Sequence, residues 1–144
     1  MEIQNAEAAY INVTDCLLEK KYELLDTIEI NNGRYKILKT NKETFLVVFK
    51  REGFRNFGKY FRDQGQTGMG ETLNLEDLKS AVLKGARSVI FIYPNRHIYK
   101  LSVEEILNNG FRRTTKEGKQ TISFSIHLLN RLNPDEEGFE WNFQ

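Results

Sequence analysis

The chain has little cysteine, little proline and almost no net charge. One cysteine among 144 residues excludes a disulfide scaffold and a zinc site built on cysteine thiolates. Two prolines and ten glycines exclude collagen and proline-rich linkers. The balance of 21 Lys and Arg residues against 20 Asp and Glu residues excludes a uniformly basic, histone-like protein and an acidic disordered one.

Long apolar runs are also absent. No segment approaches the roughly 20 residues needed to cross a bilayer, and the start, MEIQNAEAAY, has no basic stretch followed by an apolar one. We therefore predict a soluble, cytoplasmic protein with no membrane partner. With 40% hydrophobic residues the chain can bury a core, so we expect a single domain over residues 1–132 and a tail over 133–144.

Charge is balanced over the whole chain but not along it. Residues 34–62 carry nine Lys and Arg against two Glu, and residues 84–120 carry eight basic against three acidic side chains. Residues 1–33 carry two Lys against seven carboxylates, and the last twelve residues carry four acids and no cation. Such blocks indicate surfaces for charged partners, although they also balance one another once the chain folds.

The periodicity of apolar residues predicts a helix followed by a meander of three strands. Residues 5–21 have helical spacing with an interruption at Thr14 and Asp15, and DTIEI, RYKILKT and TFLVVFKR read as strands. Asn31-Asn32-Gly33 predicts a tight hairpin between the first two strands. The third strand is apolar on both faces, as in a central strand.

A second strand that is apolar on both faces, SVIFIYP, follows the amphipathic helix LEDLKSAVLKG. Because a helix links two buried strands, we expect the strands to be parallel neighbours. The residues expected on the buried face of the helix are Leu75, Leu78, Val82 and Leu83. GQTGMGE, before the helix, reads as a flexible loop, and it lacks the Lys and Ser/Thr of a P-loop, which argues against a nucleotide site.

The last third of the chain adds smaller elements. They are a strand in HIYKL, a short helix in VEEILNN with a capping box at Ser102 and Glu105, a hairpin formed by FRRTT and QTISFSI, and a helical turn in HLLNRL. On the second arm of the hairpin, Ser123 and Ser125 are expected to face outward. The predicted fold is α/β, a mixed sheet with an α-β-β-β-α-β core, helices on both faces and a C-terminal β-hairpin.

This order of elements resembles the core of the restriction endonuclease-like superfamily, the PD-(D/E)XK nucleases, which includes archaeal Holliday junction resolvases. The resemblance covers about residues 5–94. In that family, carboxylates associated with the second and third strands hold a divalent cation, and a lysine on the third strand helps to orient the attacking water.

The third strand here reads Val48-Phe49-Lys50, so the lysine is in place but Val48 stands where the family has a carboxylate. RYKILKT has no acid at all, and Lys50 is expected to be a lone ammonium group at an edge without acids. The resemblance therefore implies a nuclease-like domain that binds nucleic acid and has no catalytic residue, no metal site and no cofactor.

The segment FKREGFRNFGKYFR is the main candidate for the nucleic-acid surface. If residues from Phe54 onward are helical, the spacing sets Arg55, Lys59 and Arg62 along one face. Cations on so short a segment can neutralise several phosphates and release their counterions. The predicted contacts with nucleic acid, DNA rather than RNA, are Lys50, Arg51, Arg55, Lys59, Arg62, Arg112 and Arg113.

A second basic cluster lies on the predicted C-terminal hairpin. Arg112 and Arg113 are on its first arm, and Lys116 and Lys119 are at its turn. A hairpin of this kind can lie along a phosphate backbone or enter a groove. It can equally be a solvated surface turn.

Two other functions remain open. The chain can be a protein-interaction module whose acidic tail docks Phe139, Trp141 and Phe143 on its own domain, on a second copy in a homodimer, or against the basic block. It can also be a metal-dependent nuclease with displaced carboxylates around Lys50. The candidate carboxylates are Glu71, Glu76 or Asp77, with Asp26 or Glu52 as a second ligand.

The remaining reactive side chains give no support for covalent chemistry. His97 and His127 are the only histidines, and no Ser-His-acid arrangement can be assembled from the local sequence. Cys16 lies on the apolar face of the first predicted helix, where a small core residue is expected.

Overall fold

A computed structural model describes residues 2–52, 55–56 and 69–133. Within these residues there are three α-helices, ten β-strands and one 3₁₀ helix, Ile126–Leu128. The helices are α1 (Ala6–Glu19), α2 (Leu75–Leu83) and α3 (Val103–Asn109). The strands are β1 (Leu24–Ile30), β2 (Tyr35–Thr40), β3 (Thr44–Phe49), β4 (Arg55–Asn56), β5 (Met69–Asn74), β6 (Ala86–Ile92), β7 (Ile98–Ser102), β8 (Phe111–Thr114), β9 (Gln120–Ser125) and β10 (Asn130–Arg131).

Six strands form a mixed sheet in the order β1-β2-β3-β6-β7-β10. Its centre is the parallel pair of β3 and β6, which runs in register from Phe45 opposite Ser88 to Phe49 opposite Ile92. The two strands that are apolar on both faces are therefore parallel neighbours, as the sequence predicts. The predicted α/β class is confirmed by the structure.

Alternation along β3 divides the core in two because successive side chains of a strand point to opposite faces. Phe45 and Val47 pack in one cluster with residues of α1. Leu46 and Val48 pack in the other cluster, with α2, α3 and the second sheet. The same alternation holds on β6, so both faces of the parallel pair are covered.

A four-stranded antiparallel sheet, in the order β4-β5-β9-β8, packs over the second of these clusters. Two of its strands lie between β3 and α2 in the chain, so the order of elements differs from the predicted α-β-β-β-α-β core. Residues 69–71, predicted as part of a loop, begin β5, where Gly70 and Glu71 pair with β9. Their partner strand lies far away in the chain, so it cannot be recognised from the local sequence. The local sequence shows only the glycines, which are typical of a loop.

The helix predicted from Phe54 onward is wrong where the structure describes the chain. Arg55–Asn56 is strand β4, paired with Met69 and Gly70 of β5. Pairing with a neighbouring strand outweighs helical spacing over so short a segment. Lys59 and Arg62 lie outside the described residues.

Several smaller features also differ from the sequence prediction. Helix α1 runs through Thr14 and Asp15 without a break. On α2, Ala81 is buried in place of Val82 and Leu83, which are 42% and 87% exposed. The predicted turn HLLNRL is helical only over its first residues and ends in the short strand β10.

The predicted hairpin forms as β8 and β9, and the predicted cap of α3 forms where the Ser102 side chain accepts a hydrogen bond from the amide of Glu105. Ser123 and Ser125, expected to face solvent, are buried. The buried hydroxyl of Ser123 is not left without a partner, because it donates a hydrogen bond to Thr72 Oγ1 at 3.0 Å. Among the described helices, none combines the length and apolar character needed to cross a bilayer.

Candidate functional site

Lys50 and Tyr93 stand side by side where the parallel pair ends. Lys50 follows β3 directly, and its amide donates a hydrogen bond to the carbonyl of Ile92 at 2.9 Å. Tyr93 follows β6 directly. In open α/β sheets, ligands bind outside the carboxyl ends of the parallel strands, so this edge is the first place to look for a functional site.

The second sheet brings Glu71 to the same place. Glu71 lies on β5, is 1% exposed, and accepts a hydrogen bond at Oε2 from the Tyr93 hydroxyl at 3.0 Å. The Nζ of Lys50 is 3.9 Å from that same oxygen and donates to the carbonyl of Thr72 at 2.6 Å. We refer to these three side chains as the Lys50–Glu71–Tyr93 cluster.

Burial of the Tyr93 hydroxyl raises its pKa well above the ordinary value, and the negative charge of Glu71 and the hydrogen bond to it raise the pKa further. Tyr93 is therefore a neutral hydroxyl donor at physiological pH. Glu71 has a hydroxyl donor and an ammonium group near one of its oxygens, which is how a buried carboxylate is stabilised.

A cleft of about 570 Å³ opens beside the cluster. Its cations come from two separate segments: Arg34 from the β1–β2 hairpin, and Lys50 and Arg51 from the end of β3. Glu52 and Glu71 supply the acidic groups. The remaining lining residues are Ala6, Asn32, Gly33, Tyr35, Val48 and Phe49.

The β1–β2 hairpin places Arg34 at the cleft. Asn31, Asn32 and Gly33 have φ values of 52°, 56° and 83°, a left-handed turn that Asn and Gly tolerate best. The turn also contacts α2, because Asn31 Nδ2 donates to Asp77 Oδ2 at 3.1 Å. The Arg34 guanidinium lies 5.4 Å from the Tyr35 ring centre.

Five of the seven predicted nucleic-acid contacts belong to the described residues. Lys50 and Arg51 line the cleft, and the exposed Arg51 guanidinium lies 6.0 Å from the Phe49 ring centre. Arg112 and Arg113 are exposed on β8, the edge strand of the second sheet. Of Arg55 only the backbone is described, in β4.

The expectation that Lys50 lies at an edge without acids is wrong, since Glu71 is beside it. The prediction compared Lys50 with its own strand and with the preceding one, whereas Glu71 comes from the second sheet. Arg34, which lines the cleft, was not among the predicted site residues. Its position directly after an Asn-Asn-Gly turn is the signal that would have placed it at a hairpin tip.

The other carboxylates considered for a displaced metal site have different surroundings. Asp77 receives the hydrogen bond from Asn31 and its amide donates to the capping side chain of Asn74. Glu76 is exposed on α2, and Asp26 is exposed on the edge strand β1. Across residues 2–52, 55–56 and 69–133, no group of three or more His, Cys, Asp or Glu side chains could hold a metal ion.

Neither the two histidines nor the cysteine lines the cleft. The Nδ1 of the buried His97 is 3.2 Å from Asn95 Nδ2 and 3.4 Å from the Tyr99 hydroxyl. His127 is exposed in the 3₁₀ helix. Cys16 is buried on α1, and burial raises the pKa of its thiol, which lowers its reactivity.

A larger cleft, about 910 Å³, lies at the opposite end of the parallel pair. There Glu43 accepts hydrogen bonds from Lys100 and from Ser88, both at 2.7 Å. These hydrogen bonds join the starting ends of β3 and β6 to β7. We therefore interpret the three side chains as a structural contact between neighbouring strands.

Comparison of the chain with protein-family models, with curated proteins and with solved structures found no match. We therefore infer a function from the residues and the geometry of the cleft at the carboxyl ends of β3 and β6.

Proposed function

We propose that this chain binds nucleic acid through the cleft beside the Lys50–Glu71–Tyr93 cluster. The observation that carries the proposal is the convergence of Arg34, Lys50 and Arg51, from two separate segments, on one cleft at the carboxyl ends of the parallel strands. Phosphate groups supply most of the attraction between nucleic acids and proteins, and arginine is well matched to them because its planar guanidinium donates two parallel hydrogen bonds.

The three cations contribute unequally. Lys50 has Glu71 3.9 Å away and donates to a backbone carbonyl, so much of its charge is already balanced. Arg34 and Arg51 are exposed, and the acids among the described lining residues of the cleft are Glu52 and the largely paired Glu71. We therefore assign most of the phosphate attraction to the two arginines and a positioning contact to Lys50.

Two further features support the same function. The exposed hairpin between β8 and β9 carries Arg112, Arg113, Lys116 and Lys119 and offers a second contact for a phosphate backbone. The helix, the three-strand meander and the following parallel strand keep the order that resembles a restriction endonuclease-like core, with β4 and β5 inserted before α2. We propose duplex DNA as the preferred nucleic acid.

The test is fluorescence anisotropy with labelled duplex DNA, single-stranded DNA and RNA of one sequence over a series of salt concentrations. Arg34→Glu/Arg51→Glu is expected to weaken binding at least tenfold and to lower the salt dependence by about one unit per lost phosphate contact. The matched control is Lys79→Glu/Lys84→Glu, which reverses two exposed charges on and after α2. Equal affinity for the cleft variant and the wild type would refute the proposal.

A second function, metal-dependent cleavage of nucleic acid, is favoured by one observation: the 3.9 Å contact between Lys50 and a displaced carboxylate, Glu71. Mg²⁺ sites often use one or two carboxylates together with substrate phosphates, and Glu52 and Glu71 both line the cleft. These two residues would hold the cation, which would supply a polarised phosphate and an activated water. Lys50 would orient the attacking water.

Cleavage is tested by incubating supercoiled and linear DNA with the full chain in Mg²⁺, in Mn²⁺ and in EDTA. If the chain is a nuclease, we expect metal-dependent DNA cleavage products with the wild type and with Lys79→Ala. We expect none with Lys50→Ala or Glu71→Gln. Intact DNA under every condition, with binding retained, would refute cleavage and leave the binding proposal standing.

A further inference from the structure

The described chain ends close to the proposed binding cleft. Asn133 accepts a hydrogen bond from the amide of Ile98 at 3.0 Å and donates to the carbonyl of Arg96 at 2.7 Å. Arg96 lies in the turn after Tyr93, and Ile98 is the first residue of β7, at the same end of the sheet as Lys50 and Glu71. The described chain therefore ends, at Asn133, at the edge of the sheet where the cleft lies.

The remaining chain is long enough to reach the cleft. β10 is three strand positions from β3 in the sheet, a distance of about 14 Å at the usual spacing between strands. The eleven residues 134–144 can span up to about 36 Å when extended. The extended length of the tail therefore exceeds the distance that it would have to cover past β7 and β6 to the cleft.

The chemistry of the tail complements the cleft. The tail contains four carboxylates and no cation, with Phe139, Trp141 and Phe143 among them. The cleft presents Arg34 and Arg51, which belong to the segment 34–62 with nine cations and two acids. Carboxylates can take the positions of phosphates, and aromatic rings can take the positions of bases, so the tail has the chemical pattern of a short nucleic-acid strand.

We propose that the tail of residues 134–144 occupies the cleft of its own chain and competes there with nucleic acid. This inference rests on the proposed nucleic-acid function. A tethered segment has an effective concentration in the millimolar range, so a weak contact is enough to keep the cleft filled. If the tail fills the cleft about 90% of the time, the apparent dissociation constant for nucleic acid rises about tenfold.

The single tryptophan of the chain, Trp141, reports on the tail without nucleic acid. Acrylamide quenching of its fluorescence in the full chain is expected to be weaker than in a free peptide of residues 134–144. Arg34→Glu/Arg51→Glu should raise the quenching to the value for the peptide, while Lys79→Glu/Lys84→Glu should leave it unchanged. Unchanged quenching in the cleft variant would overturn the proposal.

Dilution separates the chain's own tail from that of a second copy. Quenching that stays constant over a hundredfold dilution supports an intramolecular contact, whereas quenching that rises on dilution, together with a falling mass in light scattering, assigns the contact to a second copy and overturns the proposal.

The consequence for binding is tested in the full chain with Asp135→Asn, Glu136→Gln, Glu137→Gln and Glu140→Gln combined. Affinity for duplex DNA should rise several-fold, and adding Arg34→Glu/Arg51→Glu should abolish the gain. If the protein binds DNA through the cleft and the neutralised tail leaves that affinity unchanged, the tail proposal is overturned and the proposed function stands. Absence of DNA binding in the wild type and in the neutralised variant overturns the proposed function, and the quenching result then decides the docking of the tail separately.

Discussion

The Nζ of Lys50 lies 3.9 Å from Oε2 of Glu71, a carboxylate that approaches from a different sheet. The Tyr93 hydroxyl donates to the same oxygen, so the contact joins the ends of β3 and β6 to β5. This junction fixes one wall of the cleft. It also gives the cluster a structural role that can be measured separately from ligand binding.

The energy of the contact can be obtained from a double-mutant cycle. Lys50→Met leaves the buried Glu71 with one fewer charged neighbour, so the free energy of unfolding should fall by about 1–3 kcal/mol. Combining it with Glu71→Gln should give a coupling of roughly 0.5–3 kcal/mol in urea denaturation. The same cycle on the exposed α2 residues Glu76 and Lys79 is the control, and additive effects at both pairs would contradict the assigned contact.

The raised pKa of Tyr93 predicts that the folded protein loses stability in alkaline solution. In the unfolded chain its phenol loses a proton near pH 10, whereas in the fold its pKa is raised by burial and by Glu71. Its contribution to stability is complete below pH 10 and declines as the pH rises above it, by up to about 1.4 kcal/mol per pH unit.

Tyr93→Phe removes this titration and also the hydrogen bond to Glu71. The variant should be less stable than the wild type at pH 7, and the difference should narrow above pH 10. Denaturant unfolding at pH 7, 9, 10 and 11 measures both effects. A difference that stays constant over this range would show that Tyr93 titrates alike in the folded and unfolded chains.

The hairpin between β8 and β9 should contribute to nucleic-acid binding independently of the cleft. Arg112→Glu/Arg113→Glu is expected to weaken duplex binding by about 1–3 kcal/mol and to lower the salt slope, because two phosphate contacts are lost. Quenching of Trp141 should stay at the wild-type value. Anisotropy titrations at several salt concentrations measure the effect, and wild-type affinity in this variant would remove the hairpin from the interface.

Gly110, at the end of α3, allows the helix to pack closely on β9. A Cβ atom there would lie 2.6 Å from the carbonyl oxygen of Ile106 and 2.7 Å from Ile122 Cγ1. Gly110→Ala is therefore expected to lower the free energy of unfolding by about 1–3 kcal/mol through overpacking. Asn108→Ala, an exposed position on the same helix, is the control, and equal stability of the two variants in thermal unfolding would show that the contact relaxes.

Pairing with a distant strand explains where sequence prediction failed. The spacing of Arg55, Lys59 and Arg62 is helical, yet Arg55–Asn56 lies beside Met69 and Gly70 in an antiparallel pair. Likewise, Val82 and Leu83 fit an amphipathic pattern, but they are exposed, and Ala81 packs in the core between α2 and the two sheets instead. In both cases the deciding neighbour lies far away in the chain.

The sequence by itself determined the parallel pair of β3 and β6, the hairpin at Asn31-Asn32-Gly33 and the presence of Lys50 at the end of a buried strand, because hydrophobic alternation and turn chemistry act locally. Only the tertiary structure decided that Glu71, Tyr93 and Arg34 gather around that lysine. They lie on separate elements, and nothing in their local sequence specifies the packing of one sheet on the other.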